Sequence, residues 1–274
     1  MTFGQLLTGK TVVVTGASSG IGRAIAEKLG AAGANVYLAG RTRDAMEASK
    51  ARIEALGGRA SIVVGNLRDI GQVRALVERA SAETGRFDIM VNNAGVSYPG
   101  SIVDADPEHW REMLETNVMA LLVGCQAAIR AMRNCRAQGH IVNISSSAAL
   151  RPDSGVYGAT KHAVNCISDT LRRELEEDSI RIVNIVPGAI ATNFGRYLDP
   201  AVIANLVQAS GIKVDAKKGE RLPDELFDKL QPALRQILGS ADDVADAVLY
   251  AITQPIHVSI AEVVVRPPKQ INLQ

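Results

Sequence analysis

Short runs of β-branched and aliphatic residues recur along the chain, most followed by a longer stretch with apolar positions at helical spacing. The runs at 11–15, 35–39, 60–64, 89–92, 140–144, 181–186 and 261–266 predict strands. The stretches at 21–32, 43–56, 70–84, 107–132 and 156–178 predict helices, with two more at 201–210 and 223–238. The strand candidates are apolar on both faces, which requires cover on both sides. Regular strand–helix alternation therefore implies a parallel sheet between helical layers, and right-handed crossovers favour a doubly wound α/β topology. Asp106-Pro107-Glu108 supplies an N-cap, a first-turn proline and a first-turn acid, and Asp199-Pro200 repeats the device. No long linker, low-complexity tract or repeat interrupts the series, so residues 1–274 read as one domain.

Composition narrows the function classes. A hydrophobic fraction of 47% and a charged fraction of 22% suit a globular chain with a sizeable core. The net charge is +1, no Lys or Arg block occurs and aromatic residues make up 4%, so no nucleic-acid partner is expected. The odd count of 3 cysteines, without Cys-x-x-Cys spacing, reads as packing or free thiols in a reducing compartment. The 4 histidines are scattered, which argues against zinc. A strand beginning near Thr11 leaves no room for a cleavable signal peptide. No charge-free stretch reaches the roughly 18 residues of a membrane span. A soluble, cytoplasmic protein is expected.

The first strand–helix junction carries Thr15-Gly16-Ala17-Ser18-Ser19-Gly20-Ile21-Gly22. Glycines let backbone approach a ligand closely, and the helix N-terminus behind them favours a diphosphate. Their spacing differs from Gly-x-Gly-x-x-Gly, but the placement is that of a dinucleotide loop. At the end of the second strand an acid would select NAD by its ribose 2′-hydroxyl, and an arginine the 2′-phosphate of NADP. The chain has Gly40 there, followed by Arg41. NADP is thus the expected cofactor, with Arg41 as its contact and Arg43 as the substitute; the plainer alternative is that both are solvated residues at the helix start.

Tyr157 and Lys161 stand at i and i+4 and share one helix face. An ammonium about 4 Å from a phenol, at an effective dielectric near 20, favours the phenolate by about 4 kcal/mol, or roughly three pKa units. That would bring a tyrosine into the range useful for acid–base catalysis.

The glycine loop, Asn92-Asn93-Ala94-Gly95, Asn117, Ser145-Ser146-Ser147, Tyr157/Lys161 and Pro187-Gly188 occur in one order, and together they resemble the short-chain dehydrogenase/reductase family from about residue 8 to 266. The resemblance implies a Rossmann-like fold. It implies that Tyr157 donates or accepts the substrate proton, that Lys161 lowers its pKa and holds the nicotinamide ribose, and that Asn117 holds a water in a proton relay. Ser146, with Ser145 second to it, would bond the substrate oxygen; Ser146 stands two positions closer to the tyrosine than is usual in the family. Asn66 replaces the usual aspartate beside the adenine, with Leu67 next to it. Asn93, Ala94 and Gly95 would line the cofactor cleft and Asn92 would tie neighbouring strands. Past Pro187-Gly188, residues through Ile190 would run over the nicotinamide, with Thr192 bonding its carboxamide.

The segment 194–240 reads as a helical substrate lid, with Phe194, Tyr197 and Leu198 forming an apolar wall together with Val96 and Tyr98. Lys213, Lys217, Lys218 and Arg221 alternate with Asp215, Glu220, Asp224 and Glu225, which reads as a solvated face, a cationic pocket being the other option. Trp110 and Met113 are expected to pack beneath their helix, and His162 to point away from the site. By resemblance, helices 107–132 and 156–178 would form the core of a homo-oligomer, a dimer or tetramer. The expected activity is NADPH-dependent interconversion of a small-molecule carbonyl and a secondary alcohol. The competing functions are an NADP-sensing protein without catalysis and an epimerase or dehydratase on the same scaffold.

Overall fold

The computed structural model describes residues 6–98, 100–192, 204, 223–234 and 237–268. Seven parallel strands form one sheet in the order β3-β2-β1-β4-β5-β6-β7. The strands are β1 (Thr11–Thr15), β2 (Asn35–Gly40), β3 (Arg59–Val64), β4 (Ile89–Asn92), β5 (Gly139–Ile144), β6 (Ile180–Pro187) and β7 (Glu262–Val265). The order reverses direction between β1 and β4, and a ligand crevice opens at the carboxyl ends of strands on either side of such a switch point.

Alternation along each strand divides the core in two. Val12 and Val14 of β1, Val36 and Leu38 of β2 and Val142 and Ile144 of β5 face a layer that includes α1 (Gly20–Ala31), α2 (Arg43–Ala55) and α8 (Ala241–Ile252). Val13, Tyr37 and Ile141 face the opposite layer of α3 (Ile70–Thr84), α5 (Ala120–Asn134) and α6 (Gly155–Glu174). The expected doubly wound α/β sheet is the observed one, with strand and helix ends within a few residues of those read from the pattern.

One helix differs. The stretch expected as a single helix over 107–132 is α4 (Pro107–Leu114), a π turn (Glu115–Met119) and α5 in succession. The wider turn sits at Asn117, whose amide reaches off the helix to both backbone groups of Val96. A π turn in an α-helix marks such a local demand. In the 194–240 segment, α7 spans Asp224–Leu234 and carries Pro232. The expected helix 201–210, Phe194, Tyr197, Leu198, the Asp199-Pro200 cap and the charges from Lys213 to Arg221 lie outside the described residues. No helix among the described residues is long and apolar enough to cross a membrane.

Helix starts separate by position. Asp69 caps α3, Asp106 caps α4, and Ser240 makes a capping box with Asp243 on α8. Ser19 before α1, Thr42 before α2 and Ser154 before α6 make no side-chain cap bond, and all three line one cleft. Three helix starts without a side-chain cap thus face this cleft.

Candidate active site

The cleft has a volume of about 1160 Å³ and runs along the carboxyl ends of the strands. One end is the glycine loop. Asn93 donates from Nδ2 to the carbonyls of Thr15 at 2.9 Å and Gly16 at 3.4 Å, and Thr15 Oγ1 accepts from the backbone of Asn93 and Ala94. Gly16 adopts φ +67° against this contact, and a Cβ on Gly22 would collide with Gly16 O and Asn93 Nδ2. Close packing against the β4 loop therefore requires glycine at both positions. A Cβ on Gly40 would strike Ser18 Oγ, so the residue after which Arg41 follows is also bound by sterics.

Gly16, Ser18, Ser19, Gly20, Ile21 and Gly22 all line the cleft, as do Arg41, Asn66 and Leu67 beside them. Arg43 pairs with Glu47 at 3.4 Å along its own helix, whereas Arg41 is exposed and makes no ion pair with the described residues. Asn66 accepts from Arg68 N at 3.2 Å through Oδ1. Arg68 in turn bridges to Glu115 at 2.7 Å, which ties this rim to the π turn.

Further along the cleft stand Ser146, Tyr157 and Lys161. Ser146 lies near enough to Tyr157 to draw its pKa down. Ser145 turns the other way: its Oγ donates to Asn165 Oδ1 at 2.5 Å and lies 3.3 Å from the carbonyl of Lys161. The two candidate serines thus separate by side-chain direction at the end of β5, and Ser146 is the one brought to the phenol. The loop up to Tyr157 holds a 3-10 turn, Ser147–Leu150, whose first N–H groups include Ala148 N donating to Ser146 Oγ.

The expected electrostatics need correction. Lys161 Nζ lies 5.9 Å from the Tyr157 ring centroid and donates to Ile144 O at 2.8 Å. Burial pushes the Tyr157 phenol up to about 12, with Ser146 pulling the other way. Burial also brings the Lys161 amine down to about 8. The cost of creating charge in the interior exceeds the ammonium's attraction at this separation, so the phenol is raised rather than lowered. At pH 7 the pair is a neutral phenol beside an ammonium.

Asn117 stands behind the cleft wall. It is 1% exposed and does not line the cleft. Its N–H groups go to Val96 O at 2.9 Å and Thr160 Oγ1 at 3.0 Å, and its Oδ1 accepts from Val96 N. Both amide N–H groups are thus used, and the side chain fixes the β4 loop against α6. Between them, Gly95 keeps room: a Cβ there would lie 3.3 Å from Asn117 Oδ1 and 3.6 Å from Lys161 Nζ.

Asn93, Ala94, Gly95, Pro187, Gly188, Ile190 and Thr192 line the cleft too. Ile190 bridges to Gly239, and Thr192 packs beside Gly20, so the chain after β6 crosses over the glycine loop. Val96 and Tyr98 lie on the wall, but Tyr98 is committed: its hydroxyl donates to Glu112 at 2.7 Å and its ring stacks on His109 at 4.2 Å. Trp110, expected to pack beneath its helix, lines the cleft instead, while Met113 does both. His109, Arg151, Leu234 and Leu238 are wall residues that pattern reading missed, since their membership depends on how loops fold over the sheet. Asn92 does tie strands, donating to Asn143 Oδ1 at 3.0 Å. His162 is exposed on α6.

A family model described as short chain dehydrogenase matches residues 10–202. The chain belongs to the short-chain dehydrogenase family. It is an oxidoreductase of that family. An uncharacterized oxidoreductase of Staphylococcus aureus (strain USA300) is 32% identical over 264 residues, 96% of this chain and 99% of the relative. The glycine betaine reductase ATRR of Emericella nidulans is 34% identical over 263 residues, 95% of this chain, but the chain spans only 19% of that protein's length. Among solved structures, a metagenomic short-chain oxidoreductase in complex with NADP superposes with a TM-score of 0.74 at 30% identity, covering 97% of this chain and 100% of the other.

Proposed function

We propose that this dehydrogenase interconverts a carbonyl and a secondary alcohol with NADP, using Tyr157 as general acid and base. The observation that carries the reading is the joint placement of Ser146, Tyr157 and Lys161 in the cleft that the glycine loop opens into.

The residues present fit a phosphorylated dinucleotide. Gly16, Gly20 and Gly22 form a cradle that side chains would fill, next to the uncapped start of α1. Arg41 is the exposed arginine at the end of β2, where a 2′-phosphate would be read. Asn66 and Leu67 would hold the adenine, Asn93 to Gly95 the ribose, Lys161 and Tyr157 the nicotinamide ribose, and Pro187, Gly188, Ile190 and Thr192 the nicotinamide. The NADP complex of the metagenomic relative supports this cofactor. When bound, NADPH supplies the hydride.

The protein's own part is protonic. A phenol held near 12 is protonated at neutral pH and serves as donor to the oxygen of a carbonyl under reduction. Ser146 Oγ donates to the same oxygen and stabilises its growing charge. The Lys161 ammonium, anchored on Ile144 O, adds positive potential beside the phenol. Oxidation of an alcohol needs the phenolate, so that direction gains with rising pH.

The reading further takes residues 1–274 as one domain carrying a substrate lid at 194–240, with Val96, Tyr98 and Phe194 on the substrate side. It takes the protein as a cytoplasmic carbonyl reductase that assembles as a dimer or tetramer. Its test is NADPH consumption over a panel of ketones and aldehydes, which should find turnover. Tight NADPH binding with failure across the panel would instead favour the sensor. Free NADPH formed in step with alcohol consumed would exclude an epimerase or dehydratase.

A further inference from the structure

Behind the active site, four polar residues lie in one row across the sheet. Asn92 of β4 registers with Asn143 of β5, Asn143 with Asn184 of β6, and Asn184 with Glu262 of β7. Amides in the middle of a parallel sheet cost stability unless bonded. Asn92 donates to Asn143, and Asn143 donates to Ser168 Oγ at 3.0 Å. Asn184 is different. It is buried, donates from Nδ2 both to Glu262 Oε2 at 3.0 Å and to Asn165 Oδ1 at 3.0 Å, and leaves its own Oδ1 without a partner.

Asn165 Oδ1 therefore accepts from two sides: Asn184 Nδ2 and, at 2.5 Å, Ser145 Oγ. Each donor and acceptor along Ser145–Asn165–Asn184–Glu262 has one consistent assignment, which fixes both amide orientations. Ser145 is bound on its other side as well, by its N–H to Ile185 O at 2.8 Å. The turn of α6 from Lys161 to Asn165 is thereby clamped to the end of β5: Lys161 Nζ holds Ile144 O, and Ser145 Oγ meets the carbonyl of Lys161 and the amide of Asn165. Ser146, the next residue, lines the cleft with Tyr157.

We propose that Asn165 is a positioning residue: by accepting from Ser145 and Asn184 it sets the distance between the strand end bearing Ser146 and the helix face bearing Tyr157 and Lys161. Neither Asn165, Asn184 nor Glu262 lines the cleft, so any effect they have on turnover is indirect. This inference rests on the catalytic reading above.

The test is Asn165→Ala beside Asn165→Asp, which keeps an acceptor of the same shape. With NADPH and a ketone found in the panel, Asn165→Ala should lower kcat about tenfold, the scale of one lost hydrogen bond. The NADPH dissociation constant should stay within about twofold. Asn165→Asp should recover most of kcat at pH 7. Ser145→Ala removes the donor and should give the same fall, and the double variant Ser145→Ala/Asn165→Ala should be no slower than either single one. Wild-type kcat in Asn165→Ala, equal loss in the Ala and Asp variants, or additive effects in the double variant would each overturn the proposal. Should Asn165→Ala fail to fold, Ser145→Ala alone decides, since wild-type kcat there is equally fatal. Loss of turnover in Tyr157→Phe but not in these variants sinks this inference alone; full turnover in Tyr157→Phe sinks the catalytic reading itself.

Discussion

His140 gives a quantitative test of how the sheet is built. It lies in β5, is 7% exposed, and its Nε2 has no hydrogen-bond partner. Burial, followed by the charges of Lys10 and Arg181, holds the imidazole down at about 4 against an ordinary 6.5. Below pH 6.5 the unfolded chain takes up a proton that the folded protein refuses until about pH 4. The stability of the neutral ring is therefore complete above 6.5 and is lost as pH falls through that window. The full gap is worth about 3 kcal/mol, and the part reached at pH 5 about 2 kcal/mol. His140→Phe keeps a ring of similar bulk with nothing to titrate. Urea unfolding of both proteins at pH 7.5, 6 and 5 isolates the histidine, because every other group is common to the pair. Near pH 7.5 the two should differ by about 1 kcal/mol or less. At pH 5 the wild type should have lost about 2 kcal/mol more than the variant. Parallel pH curves would refute the reasoning.

Other expectations concern the nucleotide end of the cleft. Arg41→Ala should weaken NADPH binding by about tenfold or more while leaving NADH nearly unchanged, as measured by fluorescence titration; an unchanged preference would overturn the 2′-phosphate assignment. Gly22→Ala forces a Cβ into Gly16 O and Asn93 Nδ2, so it should reduce affinity for both nucleotides together, and normal binding of either would contradict the cradle. The rate of alcohol oxidation itself should rise from pH 7 to pH 10, because that direction needs the phenolate; an oxidation rate flat over this range would remove the raised phenol from the mechanism.

Much of this architecture was legible in the residue pattern, for physical reasons. Val12-Val13-Val14 must be covered on both faces, and a strand of that kind followed by an amphipathic helix has few folded outcomes. Gly16, Gly20 and Gly22 and the Tyr157/Lys161 pair are local in sequence, so spacing alone puts each set in one place. What could not be read is contact between distant segments. The π turn at Asn117 answers to Val96, and the direction of Ser145 answers to Asn165; neither partner is marked by spacing. The phenol's pKa, raised first by burial, is likewise not written in the spacing. Helical spacing brings Lys161 to the right face, but whether its ammonium reaches the hydroxyl or the carbonyl of Ile144 depends on where the end of β5 lies. Trp110 of α4 lines the cleft, which no periodicity encodes.

The central claim is that Tyr157 handles the substrate proton, and one comparison tests it most directly. NADPH oxidation by wild type and Tyr157→Phe should be followed in single turnover with the best ketone of the panel, alongside the NADPH dissociation constant of each. Removing the proton donor should slow turnover by about a hundredfold or more while the dissociation constant changes by less than about threefold. Turnover at the wild-type rate in Tyr157→Phe would contradict the account.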